Sequence, residues 1–506
     1  MKGGIAKLIS KEDAVVAALL ALLAALLLLP IAFRPAGGDA AFYGYLGQRI
    51  LAGDDMYRDM WDMKPPGFSM LFAFSYGAFG PSHWSPSLLE VVLAWAASLG
   101  VYRVAEHYSG RFGAVCGSVL FLFAFFGVCL SGFGLQAETM SAPFVIWPFA
   151  LVIAKPVRPA RALLAGALLT YAAAIKTSNI VFVIPWMVLG GFGSYLLFAS
   201  VGGVAVAAAF ALYLKSHGSL GEAKYALLEF GTKFVDQRRQ PFAQFFHSFQ
   251  KQIGGLIFAT VACWAGLAFT FVRRERLAIA VAAALSLAIV FYQSRYFIYH
   301  WMPVYIFGAA GFGMLANDRT RSQPKNLALV ALGLSLLFLI PKYGSYWSEV
   351  QKTASLATGR TTYKDYASTF HTAYGDAPGV DEKQVIELAE KIKAETTAED
   401  YVFANHFSPA VALLSQRREP QRFIYFDGIE VQHRRQPEWS QEYVDRIIER
   451  RPKFIIVCRK FYPILGRAVD LMDEITRRPR LQAFFQANYN LRETLYGCVE
   501  LYEIKP

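Results

Sequence analysis

Between Lys176 and Lys215 stand 38 residues without a charged side chain, interrupted by the turn Gly190-Gly191-Phe192-Gly193. A run of that length outgrows a soluble core, and it reads as two membrane-crossing helices joined by a tight turn. Further apolar stretches recur near 14–33, 86–104, 111–135, 139–154, 162–175, 252–272, 277–294, 296–316 and 326–342. Each approaches the ~20 residues that a bilayer requires, with allowance for tilt. The expected fold class is a mainly α polytopic membrane protein with about eleven transmembrane helices. Composition agrees: with 55% of residues hydrophobic and 17% charged, lipid must be the solvent for much of the chain.

Lys2/Lys7/Lys11, Arg103/Arg111, Lys155/Arg158/Arg161, Arg273/Arg274/Arg276 and Arg319/Arg321/Lys325 recur at every second crossing. By the positive-inside rule the N-terminus is cytoplasmic and residues after about 343 lie outside. The formal charge of +12 then reflects loop anchoring rather than nucleic-acid binding. This register requires Phe68–Gly80 to lie in the interface or re-enter the bilayer rather than cross it. The segment is short, holds Gly and Ser, and follows Pro65-Pro66. Ala14–Phe33 is too long for an ordinary cleaved signal and lacks a convincing small-residue cleavage site after it, so it reads as a retained signal anchor.

Two domains are expected: residues 1–343 in the membrane, with 34–85 as a first periplasmic loop carrying interfacial helices, and 344–506 in the periplasm. Segments 34–85, 131–138 and 215–251 face outward and look too organised to be mere connectors. From about 380 the pattern changes. Short β-rich runs (Tyr401–Ala404, Phe423–Phe426, Phe454–Cys458) alternate with helical stretches (Glu382–Ala394, Gln441–Arg450), and Leu495–Ile504 closes as a strand or hairpin. Such alternation predicts a soluble α/β domain with a mainly parallel sheet. It carries no Gly-rich phosphate loop, HExxH or GxSxG, so it caps or assists rather than performing chemistry. The five cysteines give no metal framework; Cys458 and Cys498 are read as two separate buried thiols, with a disulfide between them as the alternative.

Polar residues gather at the outer face. Asp39 follows the first helix, and Asp62-Met63-Lys64-Pro65-Pro66-Gly67 comes some 25 residues later. Gln136-Ala137-Glu138-Thr139 forms a second outer loop, while Lys176 sits alone in apolar surroundings. Ionisable groups at that depth are costly unless they pair or bind something. One potential base and several cations that could hold a phosphate are therefore available there. Asp54, Asp55 and Asp59 read as surface turn residues, and Arg238-Arg239 as either phosphate ligands or solvated charges.

The segment from Gly38-Asp39-Ala40-Ala41-Phe42-Tyr43 through Tyr57-Arg58-Asp59 to Asp62-Met63-Lys64-Pro65-Pro66-Gly67 resembles the first outer loop of membrane glycosyltransferases of the GT-C superfamily. The likeness is to the bacterial branch related to protein O-mannosyltransferases and the lipid A aminoarabinose transferase. Glu138-Thr139, Ala174-Ile175-Lys176-Thr177 and Arg295-Tyr296 to His300-Trp301-Met302-Pro303 agree with it, so that it covers roughly residues 10–340. The resemblance implies a sugar donor carried on a polyprenyl phosphate and an envelope glycan, lipid or protein as acceptor. It implies an inverting transfer in which Asp39 is the base, with Lys64, Lys176, Arg295 and His300 for the donor phosphate. Glu138, Gln136 and Tyr43 would orient the acceptor. A divalent ion (Mg, Mn or Zn), if one is used, would fall to Glu138 and Asp62. Two departures weaken that last carry-over: many relatives have Asp-Glu where this chain has Asp39-Ala40, and some have an acid where Met63 stands. Asp62, one place earlier, would point elsewhere on a helix or strand. The rival readings are a lipid transporter or flippase, which would want midplane charges and internal repeats, and a non-catalytic subunit, in which Asp39 would be dispensable.

Overall fold

The computed structural model describes residues 11–316 and 340–506, with 329 and 333, apart from 81, 83, 191–193, 247–256, 272–275, 371–379, 405–406, 426 and 460–469. The expected crossing at 326–342 and the basic clusters at Lys2/Lys7, Arg273/Arg274 and Arg319/Arg321/Lys325 lie wholly or largely outside those residues. The chain is mostly helical. Helices α1 (Lys11–Ala32), α2 (Gly38–Leu51), α3 (Pro66–Phe79), α4 (Ser85–Val128), α5 (Ala137–Val152), α6 (Pro159–Ile175), α7 (Val183–Gly190) and α8 (Ser194–Ser216) come first; Ile257–Thr270, Leu277–Gln293 and Met302–Ala316 follow. Two compact units result: Met1–Ala32 with Ser87–Leu212 and Arg238–Val350, and Phe33–Pro86 with Tyr213–Gln237 and Gln351–Pro506.

The first unit is built for an apolar solvent. Among the described residues, Lys11–Ala32, Ser85–Phe133 and Tyr195–Ser216 are long and apolar enough to cross a membrane, and five shorter apolar helices accompany them. In α1 a stripe of Leu20, Ala24, Leu28 and Ile31 is buried, while Leu19, Leu22 and Leu26 remain exposed. A helix that is apolar on both its packed and its open face is stable in lipid. α4 is a hairpin rather than a rod: Gly110 takes φ +72, and Ser118 Oγ donates to the Ser98 carbonyl 3.0 Å away, 20 residues earlier. In a straight helix those two residues would be about 30 Å apart. At the tip Arg103 pairs with Asp13 (3.3 Å) and Glu106 (2.8 Å), and Arg111 pairs with Glu12.

Helices here approach through small residues, the main means of close association where no hydrophobic force separates helix from lipid. A Cβ on Gly266 would strike the backbone of Gly308, Gly311 and Phe312, and one on Gly166 the Ala199 carbonyl. Two indole donors reach backbone acceptors on neighbouring helices, Trp95 the Ala17 carbonyl (3.0 Å) and Trp147 that of Ala96 (2.8 Å).

The second unit is mixed. Strands β1 (Val402–Phe403), β2 (Phe454–Cys458), β3 (Tyr489–Leu495) and β4 (Val499–Ile504) form a sheet in the order β1-β2-β4-β3. One junction, β1 with β2, is parallel and two are antiparallel, so the expectation of a mainly parallel sheet is corrected. The reason is local: Tyr496 (φ +55) and Gly497 (φ +71) turn the chain into a hairpin, which docks on the open edge of β2. Phe423–Tyr425 form no strand, because both edges of β2 are taken and the Phe423 ring packs 5.2 Å from Trp439; Phe426 lies outside the described residues. Helices Glu382–Glu395 and Gln436–Arg450 stand where helical periodicity places them. Cys458 and Cys498 are free thiols with Sγ atoms 3.9 Å apart.

Residues 33–86 and 213–237 belong to this unit through buried aromatic and ionic contacts. Trp61 lies edge-on to Phe230 (4.8 Å) and Trp439 (5.1 Å). The buried Arg422 guanidinium donates to the Tyr57 carbonyl, to Glu222 (3.1 Å) and to Glu442 (2.6 Å). Asp55 is also buried rather than a surface turn residue, held by Arg58 and with His217 Nε2 at 3.4 Å.

α2 and α3 pack backbone to backbone: a Cβ on Gly47 would lie 2.7 Å from Ala73 N and from Phe72 Cβ, whereas Gly77 has nothing within 4 Å. Gly47→Ala should therefore destabilise the protein by about 1–3 kcal/mol. Gly77→Ala should stabilise it by about 0.5–1 kcal/mol through lost chain entropy. Thermal unfolding of the two variants in one detergent checks the opposite signs.

Candidate functional site

In the second unit the candidate residues surround the start of α2. Gly38 takes φ +51, a left-handed conformation that glycine adopts without strain, and releases the chain into the helix. Asp39 follows in the first turn, where the helix dipole favours a carboxylate. It is partly exposed, and its side chain makes no hydrogen bond or ion pair among the described residues. Tyr43 stands one turn further along the same face and is buried. Lys64 Nζ donates to the Tyr43 hydroxyl (2.6 Å) and lies 4.4 Å from that ring's centroid and 5.4 Å from the centroid of Phe68.

The Lys64 main chain is fixed by Tyr57, whose hydroxyl donates to the Lys64 carbonyl (2.7 Å). Tyr57 itself is held at φ +69, costly for a bulky residue. The Arg422 contact and a Tyr57 N–H to Met60 carbonyl bond (2.6 Å) maintain it. Because 61–65 is neither helix nor strand, Asp62 does not point away as alternation would require. It is buried facing Tyr43 and Lys64, with Oδ1 accepting from the Met63 N–H (2.8 Å). Burial pushes its carboxyl up to about 6, against the pull of Lys64 and Tyr43.

In the first unit three helix breaks supply a second cluster. α6 ends at Ile175, and Lys176 is extended (φ −148°, ψ 115°) before a 3-10 turn over Thr177–Phe182. Asn179 Nδ2 donates to the Ala172 carbonyl (3.0 Å), which also accepts the Lys176 N–H that closes α6. The helix Leu277–Gln293 stops at Ser294 (φ +50), and after Tyr296 (φ +52) a 3-10 turn over Ile298–Trp301 carries His300. Glu138 lies in the first turn of α5. Glu90 of α4 braces that turn, accepting from the Leu135 N–H and from Thr139 Oγ1, both at 2.6 Å.

These pieces meet around one carboxylate. Lys176 Nζ pairs with Glu138 Oε1, His300 Nε2 lies 3.4 Å from the same oxygen, and Lys176 also donates to Gln293 Oε1 (3.1 Å). Glu138 is 5% and His300 7% exposed. Gln293 Nε2 is buried without a hydrogen-bond partner among the described residues, a donor that a ligand oxygen or water would satisfy. Irregular backbone at such depth is tolerated where it is enclosed by protein or lines a polar cavity.

No family model matches this sequence, and neither does any curated protein. Solved structures do. ArnT from Cupriavidus metallidurans bound to undecaprenyl phosphate aligns with TM-score 0.62 at 10% identity, over 97% of this chain and 98% of that one. Its apo form gives 0.60 at 11% identity, with the same shares covered. The archaeal oligosaccharyltransferase AglB from Archaeoglobus fulgidus, in complex with an inhibitory peptide and a dolichol-phosphate, gives 0.51 at 12% identity, over 98% of this chain and 74% of that one. The chain has the GT-C fold.

Within the GT-C fold the expected residues divide into groups. Glu138, Lys176 and His300 come together in one unit, and Tyr43, Asp62 and Lys64 in the other. Gln136 is the N-cap of α5, its N–H donating to Thr139 Oγ1 (3.1 Å). Arg295 Nη1 donates to the Arg238 carbonyl (3.2 Å) and the guanidinium lies 5.8 Å from the Phe297 ring centroid. A metal is a poor fit: among the described residues no three His, Cys, Asp or Glu side chains gather to hold one, and Glu138 Oε1 already faces two nitrogen groups. Glu90 and Gln293 were not singled out by the sequence. A carboxylate inside the apolar stretch 86–104 was a signal for the first; a neutral amide at a helix end gives none.

Asp62 also makes stability depend on pH. Its folded-state value lies above the ordinary 3.8, so the native protein binds the extra proton and loses stability as pH rises from about 4 to about 6. That loss should amount to about 3 kcal/mol. Asp62→Asn should flatten this part of the stability curve, as read by unfolding midpoints from pH 4 to 8.

Proposed function

We propose that this chain is an inverting glycosyltransferase moving a sugar from a polyprenyl-phosphate-linked donor to an envelope glycan, lipid or protein at the periplasmic face of the inner membrane. The reading includes about eleven crossings, a cytoplasmic N-terminus and a periplasmic region over 344–506. The observation that carries it is the buried Lys176–Glu138 pair with His300 and Gln293 at three helix breaks. An apolar unit has no packing need for such a group, and burying it costs several kcal/mol per ion before pairing.

As the bond between sugar and phosphate breaks, negative charge grows on the leaving phosphate. Lys176 and His300 are the proposed donors that meet that charge, and the buried Gln293 amide adds a donor that needs no reorganisation. Glu138 holds Lys176 in place. Asp39, at a helix N-terminus and without a hydrogen bond or ion pair among the described residues, is the proposed base that takes the proton of the acceptor hydroxyl. Lys64, held between Tyr43 and Phe68, is proposed as a second phosphate-binding cation.

Transport is the second reading, because broken helices around an ion pair are also how transporters build substrate sites. Membranes containing the protein are supplied with a panel of radiolabelled polyprenyl-phosphate sugars, with and without chelator. Label passing from the lipid to a second molecule supports transfer. Label that changes leaflet while still joined to its lipid supports transport instead.

A further inference from the structure

The second unit has a cavity of ≈ 450 Å³ walled by Gln48 of α2, Tyr76 and Phe79 of α3, and Lys393, Leu413 and Gln416. No residue of the proposed transfer chemistry lines it. Lys393, in the last turn of the helix Glu382–Glu395, donates to the neutral Gln416 Oε1 (3.0 Å) and has no carboxylate partner among the described residues.

Next to it in sequence, the buried Arg417 donates to the Thr396 hydroxyl (2.7 Å) and to the carbonyls of Lys393, Thr396, Ser415 and Gln416. None of these acceptors is charged. Arg49 and Arg418 share the single carboxylate of Asp54, at 2.6 and 2.9 Å. The neighbourhood thus holds four cations (Lys393, Arg417, Arg49 and Arg418) against the carboxylates of Asp54 and Glu399, an excess of positive charge that calls for a negatively charged guest.

The same two helices expose apolar side chains as their C-terminal ends approach the cavity. Leu51 is 56%, Phe74 60% and Phe79 37% exposed. A small soluble anion would neutralise the cations and leave those rings in water. A guest with a phosphate at one end and hydrocarbon at the other satisfies both, as interfacial helices do when they lie at the boundary of a bilayer.

We infer that this cavity is a binding site for the head group of an anionic glycerophospholipid. The phosphate meets Lys393 and the amide N–H groups of Gln48 and Gln416, and the acyl chains run along Leu51, Phe74 and Phe79. The site docks the second unit to the lipid matrix, and this does not depend on which sugar, if any, the protein transfers.

The test is native mass spectrometry of the full-length protein in detergent. It is titrated with phosphatidylglycerol, with phosphatidylethanolamine, and with phosphatidylglycerol in the presence of glycerol phosphate. The wild type should prefer phosphatidylglycerol by about fivefold for the charge at Lys393. Lys393→Glu should lose that preference and Lys393→Arg should keep it. Lys383→Glu, on the same helix but paired with Asp365 at 3.0 Å, should also keep it. An unchanged preference in Lys393→Glu would overturn the site. Competition by glycerol phosphate as strong as that by the lipid would make it a soluble-anion site and overturn the lipid assignment.

Discussion

Lys176→Ala should abolish sugar transfer and also lower the stability of the protein by about 3–5 kcal/mol, because it removes the ammonium that pairs with the buried Glu138 carboxylate. The two effects can be separated. In the double variant Lys176→Met, Glu138→Gln no buried charge remains uncompensated, so most of the stability should return while transfer stays absent. Unfolding midpoints and transfer rates measured on the wild type, the single variant and the double variant decide the matter. A double variant that transfers at the wild-type rate would remove Lys176 from the chemistry and leave the pair a structural feature.

Asp39→Asn is expected to act in the opposite manner, with a large effect on rate and almost none on stability. The side chain makes no hydrogen bond or ion pair among the described residues, so the amide replaces the carboxylate without breaking a contact. Removing a general base typically costs 10²–10⁴-fold in rate. Single-turnover transfer with saturating donor should show that drop, with an unfolding midpoint within about 1 °C of the wild type. Retention of a third or more of the wild-type rate would exclude Asp39 as the base and would favour the transporter or the non-catalytic subunit.

Much of the architecture was legible because the solvent is lipid. A helix that must satisfy its own backbone in hydrocarbon announces itself by the absence of charge, and the stretches at 139–154, 162–175 and 277–294 fall on Ala137–Val152, Pro159–Ile175 and Leu277–Gln293. Lys176 and Glu138 were visible for the complementary reason, as charges where charge is costly. What stayed hidden depends on partners distant in sequence. Asp62 reaches Tyr43 and Lys64 because its loop is irregular, and the irregularity is held by Arg422, whose donation to Tyr57 spans 365 positions. No local periodicity encodes that. The sheet was misjudged as mainly parallel because alternation of helix and strand says nothing about a terminal hairpin, whose direction is set by the Tyr496-Gly497 turn.

The Arg422 contact has a consequence for how the protein is made. Its acceptors lie on Tyr57, Glu222 and Glu442, so the first loop cannot reach its final packing until the ribosome has passed residue 442. At about 5–20 residues per second, the 365 positions between Tyr57 and Arg422 take roughly 20–70 s to synthesise. For that interval Trp61 and the loop around Lys64 have been synthesised but lack their partners. Chains stopped short of residue 422 should therefore be cut by protease in the segment 54–65, whereas completed chains should resist, and the time at which protection arrives would mark the closing of the unit.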